Sequence, residues 1–430
     1  MKRREFLVST AGLVGSAAAM RIAQADVVPC PPAQLGVSGG TTTQTTCDVT
    51  GNLSWVPAPG AIGDVSLNTL NSVAPTVNGA KTNPYGVMAA WCGLVYAPTF
   101  GELGSLITYG GGHTDYPYNE VYRYDVATRL WSRLSEPDVP NPTASPPFFK
   151  DSLGYYADPE YGEYYGDAAL NVAAGKVSAQ HTYGKLVWCP PGSLGDDPAG
   201  YLFASGVTSM VPVGQRGSSW PHYMPLSKPS WHRGAAKLAA RTDYGCALYD
   251  SARNRVVTFP NPDSTTSAPF VNCSNQTVGA LAIKPTGIQS YYGTAGYDAD
   301  SDLYMIAAVT SLTLSKSAVL QLVNPKTGDV KSAAINGTLP TETGGWEWVP
   351  TWGAWVYYAG SGNNVVILRR PSDAWNGTWT VSTQSLTGTP AKKPDSNPHY
   401  SRFRYVERAK CFLWAASTST AVQGFNVISR

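Results

Sequence analysis

The chain has 430 residues, a formal net charge of only +2 and 14% charged residues, so it is long enough to bury a large core. So small a charge gives no support to nucleic acid or an anionic membrane surface as the main partner, and the low charged fraction argues against a highly charged disordered chain. Gly 43 and Pro 33, beside Trp 13 and Tyr 25, describe many short strands joined by turns.

At the N-terminus, Arg3-Arg4-Glu5-Phe6-Leu7 precedes an apolar run from Val8 to Met20, and Ala23-Gln24-Ala25 offers an A-x-A cleavage site. This resembles a twin-arginine export signal over residues 1–25, with a mature protein that starts near Asp26 in the periplasm or outside the cell. No later run reaches the roughly 18 apolar residues a membrane helix needs, so no membrane insertion of the mature chain is expected. Residues 26–50 form a low-complexity arm of Pro, Gly, Thr and Ser. All seven cysteines follow the signal. An oxidising compartment favours disulfides, with Cys30–Cys47 stapling the arm and Cys246–Cys273 closing a loop, while the odd count leaves at least one thiol unpaired. Cys92, Cys189 and Cys411 sit in predicted strands as buried thiols.

From residue 51 onward the sequence reads as one all-β domain. The pattern of apolar strand, turn and apolar strand recurs at intervals of roughly 45 to 65 residues. A first unit runs from Ala90 to Leu134, and a second pairs KLVWCP with YLFASGV. The third contains CALYD and NRVVTF, and the fourth AGYDADSDLYMIAAV and AVLQLV. The fifth holds WEWVPTWGAWVYYAG, VVILRRP and TWTVSTQ, and the last SRFRYVERAKCFLWAAS and FNVISR. The last unit is short of an outer strand, which a segment around Trp55 would supply, because a closed ring leaves no long exposed edge. Six units are counted. Residues 137–177, rich in Pro, Tyr and Gly, are either an insertion or a seventh.

The segment from Leu106 to Leu134 is the sharpest of these. An apolar run stops at Gly110-Gly111-Gly112, EVYRYDV alternates with the period of a half-buried strand, and Trp131 opens a third strand. It resembles a Kelch repeat, which implies a Kelch-like β-propeller of six or seven blades. In that topology the loops before first strands and after second strands share one rim around the central channel. His113, directly after the three glycines, falls on that rim. So do His181 and Tyr183, Arg241 and Tyr244, Trp346, and His399 with Tyr400 and Arg402.

These residue types suit three readings. The fold and export are similar to propeller polysaccharide lyases that cleave uronic-acid chains by β-elimination. That chemistry needs a base, an acid and a positive charge on the carboxylate. By residue type and rim position His113 or His181 is expected as base, Tyr183 or Tyr244 as acid and Arg241 as carboxylate clamp, with Trp346, His399 and Arg402 binding substrate. The second reading is a propeller that binds a glycan or a protein without catalysis. The third is a copper enzyme like galactose oxidase, for which His113, His181, His399, Tyr183 and Tyr400 are the candidate ligands; apart from that resemblance, His113, His181 and His399 suit a single Zn or Cu ion. In that family a Tyr precedes its His, whereas here the order is His222-Tyr223 and His399-Tyr400. His222 and His232 lie in a Trp- and Pro-rich stretch expected to be a loop. GGGH lacks the Lys and helix of a phosphate loop.

Overall fold

Alternating apolar residues, cut every few positions by Gly, Asn and Asp turns, leave the chain no choice but short antiparallel strands. A computed structural model describes residues 53–77, 79–111, 116, 118–137, 181–205, 221–236, 238, 245–260, 267–284, 290–309, 318–341, 344–392 and 399–428, plus the backbone of 149–150 and 156–157. The signal, the arm, Cys30 and Cys47 lie outside the described residues.

Six blades form a ring. The first has the strands Leu94–Ala97, Ser105–Thr108, Tyr122–Asp125 and Leu130–Arg133. The second comprises Leu186–Cys189, Tyr201–Ala204, His222–Pro225 and His232–Arg233. In the third, Cys246–Asp250, Arg255–Phe259, Ser267–Asn272 and Val278–Ala282 pair in order. The fourth contains Tyr291–Asp298, Leu303–Val309, Ala318–Val323 and Val330–Ser332. Gly345–Val349, Ala354–Tyr358, Asn364–Arg369 and Thr378–Ser385 build the fifth, with Ala334–Asn336 added in parallel at its edge. The sixth has Phe403–Val406, Cys411–Trp414 and Gln423–Phe425, completed by Ile62–Asp64. First strands of successive blades touch around the ring, and that of the sixth touches that of the first.

Several expectations are corrected. The closing strand is Ile62–Asp64, paired as Ile62 with Phe425, while Trp55 lies in the turn before it. A short run can complete the sheet because Gln423 also donates to Asp64 Oδ1 at 2.8 Å. The Trp- and Pro-rich stretch is not a loop: it supplies the second blade's two outer strands, with His222 buried and His232 exposed. Cys246 and Cys273 are free thiols in the third blade, and Cys273 packs with Cys189 of the second in one buried apolar cluster. Between 137 and 177 the described backbone is a two-stranded pairing of Phe149–Lys150 with Tyr156–Ala157, not a blade.

Apolar layers fill the seams between blades. Ile107, Tyr109 and Val121 of the first blade pack with Leu186, Leu202 and Met224 of the second. Met305 and Leu322 of the fourth meet Trp348, Trp355 and Trp379 of the fifth. Each such side chain contributes about 1.5–3 kcal/mol by leaving water. Toward the channel the packing tightens: a Cβ on Gly184 of the second blade would strike the Gly293 carbonyl of the fourth and the Cys246 side chain of the third. Glycine is what lets the inner strands approach there.

Candidate functional site

The expected rim residues that can be placed, Trp346 apart, belong to turns entering the inner strands of the sixth and second blades, which meet a like turn of the first. Three aromatic residues stand three positions before their strands: Trp91 before Leu94, Tyr183 before Leu186 and Tyr400 before Phe403. All three adopt the left-handed backbone, at φ 51°, 48° and 39°. The turns are stitched together. Tyr183 N–H donates to the Trp91 carbonyl at 2.8 Å, and Gly93 N–H to Thr182 Oγ1 at 3.1 Å. A Cβ on Gly93 would meet the Tyr183 carbonyl at 2.7 Å, with Tyr400 Cβ at 3.5 Å, so this glycine is where two turns cross a third.

Side chains gather above these turns. His181 Nδ1 lies 3.2 Å from the Tyr183 hydroxyl, and its ring centroid is 4.8 Å from that of Trp91. Tyr183 meets Tyr400 edge to face at 5.5 Å. Lys185 Nζ sits 5.2 Å from the Tyr183 ring centroid, close enough for a cation–π contact. Arg402, on the sixth blade, donates through Nη1 to the Ala416 carbonyl at 3.2 Å and lies over Trp414. Both cations are fully buried, so their charge acts in a low-dielectric setting rather than in water. Cys92 sits within the field of Arg402, yet burial pushes its thiol up to about 11, which keeps it protonated and inert at neutral pH.

The structure therefore brings together His181, Tyr183 and Tyr400, while the Arg402 side chain turns to the Ala416 and His399 carbonyls and to Trp414. His399 is fully buried, its ring 4.5 Å from Trp414 and pressed onto Gly360. Trp346 is in the strand Gly345–Val349, where it packs on Trp355 and Tyr357 in the apolar layer between the fourth and fifth blades. His113, Arg241 and Tyr244 lie outside the described residues. Among the described residues no three His, Cys, Asp or Glu side chains converge as a metal would require.

Sequence reasoning passed over Lys185, which begins KLVWCP and reads as a strand start. It also passed over Trp91 and the state of Glu120. The Glu120 carboxylate is fully buried and accepts hydrogen bonds from the Tyr116 and Tyr122 hydroxyls, and Tyr116 in turn reaches Thr82 at 3.1 Å. Burial holds its carboxyl above the usual carboxylate range, although the two hydroxyls pull the other way. The only signal was the Tyr-x-Tyr-x-Glu-x-Tyr alternation, which reads equally well as blade packing.

No family model matches this chain, and no curated protein matches it. Solved structures do. An α-L-arabinanase of Penicillium chrysogenum complexed with arabinobiose is 13% identical, with a TM-score of 0.45, over 84% of this chain and 97% of that one. The GH93 α-L-arabinofuranosidase of Fusarium graminearum with arabinobiose is 11% identical, with a TM-score of 0.44, over 78% and 92%. The major allergen Mala s 1 of Malassezia sympodialis is 11% identical, with a TM-score of 0.43, over 79% and 92%.

Proposed function

We propose that this propeller acts on a glycan carrying carboxylates, and that it cleaves a uronic-acid polysaccharide by β-elimination at the mouth formed by the sixth, first and second blades. The observation that carries this reading is the His181–Tyr183 hydrogen bond at 3.2 Å beside the buried cation of Lys185. Elimination needs three things: a base for the proton α to the carboxylate, positive charge on that carboxylate as the enolate-like state forms, and an acid for the leaving oxygen. The His181 imidazole takes the C5 proton, the C4–O bond breaks as the C4–C5 double bond forms, and the Tyr183 hydroxyl protonates the departing oxygen. Lys185 and Arg402 supply the charge. His113, Arg241 and Tyr244, from the same rim in sequence, join the proposal as further base, clamp and acid. Export by the twin-arginine route also belongs to it, and N-terminal sequencing of secreted protein beginning at Asp26 is the result expected.

The test is incubation of purified protein with polygalacturonate, alginate and glucuronate polymers, following the ultraviolet band of an unsaturated uronate. His181→Ala should lower kcat by about 100-fold or more with the fold retained. Wild-type protein that yields no unsaturated product from any of them overturns the lyase.

A second reading, a propeller that binds a glycan without cutting it, has its own support. His181 and Tyr183 are each 3% exposed and Arg402 is 0% exposed, which suits a structural or binding role more than an open catalytic cleft. Binding without product in the same assay would decide for it. The copper or zinc alternative is supported by residue type alone, because the described donors do not form a three-ligand set; elemental analysis of the purified protein tests it.

A further inference from the structure

A non-glycine residue with positive φ is uncommon, and for a bulky side chain it is an outlier. Turns that need this conformation are normally given glycine or asparagine. Here the entry turns of three consecutive blades give it to Trp91, Tyr183 and Tyr400, at the same distance from the strand that follows. In two of them the strained residue directly follows the first residue of a tight turn: Lys185 N–H donates to the Thr182 carbonyl at 3.0 Å, and Arg402 N–H to the His399 carbonyl at 3.0 Å. The backbone demand would be met at lower cost by glycine, which stands elsewhere in this chain at many positive-φ positions. Strain kept in register at one mouth marks a place where the side chain, not the backbone, is wanted.

The three rings are linked through neighbours rather than scattered. Tyr183 touches Tyr400 edge to face, His181 bridges Tyr183 and Trp91, and the Trp91 carbonyl holds the Tyr183 turn. Tyr183 and Tyr400 are buried, whereas Trp91 is only half-buried. Trp91 is thus the member of the arc able to offer part of a ring to a ligand, with the two tyrosines fixing its support. A Trp face is a broad, rigid apolar surface whose π-cloud attracts polarised C–H groups, the complement of the C–H face of a pyranose ring.

We propose that Trp91 is a stacking subsite for one pyranose ring of a glycan chain, held in place by the left-handed turn and by the Tyr183 and Tyr400 arc, and placing the neighbouring sugar at His181. The inference rests on the glycan reading above and adds a subsite to it.

Isothermal titration of wild-type protein with oligogalacturonate, oligomannuronate and oligoglucuronate tests it, alongside Trp91→Gly and Trp91→Phe. Trp91→Gly removes the ring and the backbone strain together. It should weaken binding by tenfold or more while leaving Tm unchanged or raised, and Trp91→Phe should fall between. Should Trp91→Gly fail to fold, Trp91→Asn, which tolerates the left-handed conformation, carries the same comparison. Wild-type binding with Trp91→Gly binding equally well overturns the subsite and leaves the glycan reading standing. Loss of binding with an equal loss of Tm assigns Trp91 a structural role and also overturns it. A wild-type protein that binds none of the three oligomers overturns both.

Discussion

Arg404 donates through Nη1 to Glu347 Oε2 at 2.6 Å, while its Nε and Nη2 converge on the Leu94 carbonyl at 3.0 and 2.8 Å. One guanidinium thereby joins the fifth, sixth and first blades. Its planar fork suits the task in a way an ammonium does not. Glu347 is 9% exposed, so removing Arg404 strands a carboxylate in the protein interior. Arg404→Met should cost about 3–5 kcal/mol in urea unfolding. Arg404→Met combined with Glu347→Gln should cost clearly less than the two single changes added together. Additive losses would mean the two groups do not interact.

Stability should fall with rising pH through Glu120. Its folded carboxyl is held above the ordinary value by burial, so across that window the native state binds more proton than the unfolded chain. With more proton bound in the native state, unfolding free energy decreases as pH rises. The contribution is fully present below the unfolded carboxylate range and lost as pH climbs through the folded value. Glu120→Gln, which has no proton to lose, should flatten this part of the Tm-versus-pH curve. An identical slope in both proteins would remove Glu120 as its source.

Gly360 is the least replaceable of the positions around His399. It stands at φ 78°, and a Cβ there would overlap the His399 imidazole, which is already confined by Trp414. Gly360→Ala therefore combines left-handed strain with a steric conflict that His399, fully buried, has no open side to relieve. A loss of about 2 kcal/mol or more is expected in chemical denaturation. In the double variant with His399→Ala, part of that loss should return.

Cys189 and Cys273, both buried free thiols, share the apolar cluster that joins the second and third blades. Refolding with oxidised glutathione should link them, each thiol giving up its proton and the pair two electrons to the glutathione disulfide. Peptide mapping would find this bridge, while Cys92, Cys246 and Cys411, buried apart, remain thiols. A bridge to Cys246 instead would contradict the observed seam.

The blades were legible because period-two alternation and turn residues are local: KLVWCP, CALYD and WEWVP each became an inner strand. The second blade's outer strands were not. HYMP and HR are short, interrupted by Pro and Ser, and become strands only in sequence, HYMP by pairing with Tyr201–Ala204 and HR by pairing with HYMP. Closure by a first-chain segment followed from the missing edge, but its position did not, since Ile62–Asp64 is three residues long and has no pattern of its own. His181 and Tyr183, two positions apart in one turn, lie within 3.2 Å of each other. Trp346 does not join them, because the apolar alternation of its strand turns it into the layer between blades. The left-handed turns left no mark in the sequence: aromatic residues there look like strand residues.

The pairing of Ile62–Asp64 with Gln423–Phe425 also sets a timetable. The Gln423–Asp64 hydrogen bond joins residues 359 positions apart, so everything between them must be synthesised before the ring can shut. Until then Ile62–Asp64 waits without its partner, and five blades can assemble while the sixth stays open. So non-local a final contact makes closure a late and slow event. A chain stalled or clipped before Gln423 would keep an open edge, able to pair with another copy of itself.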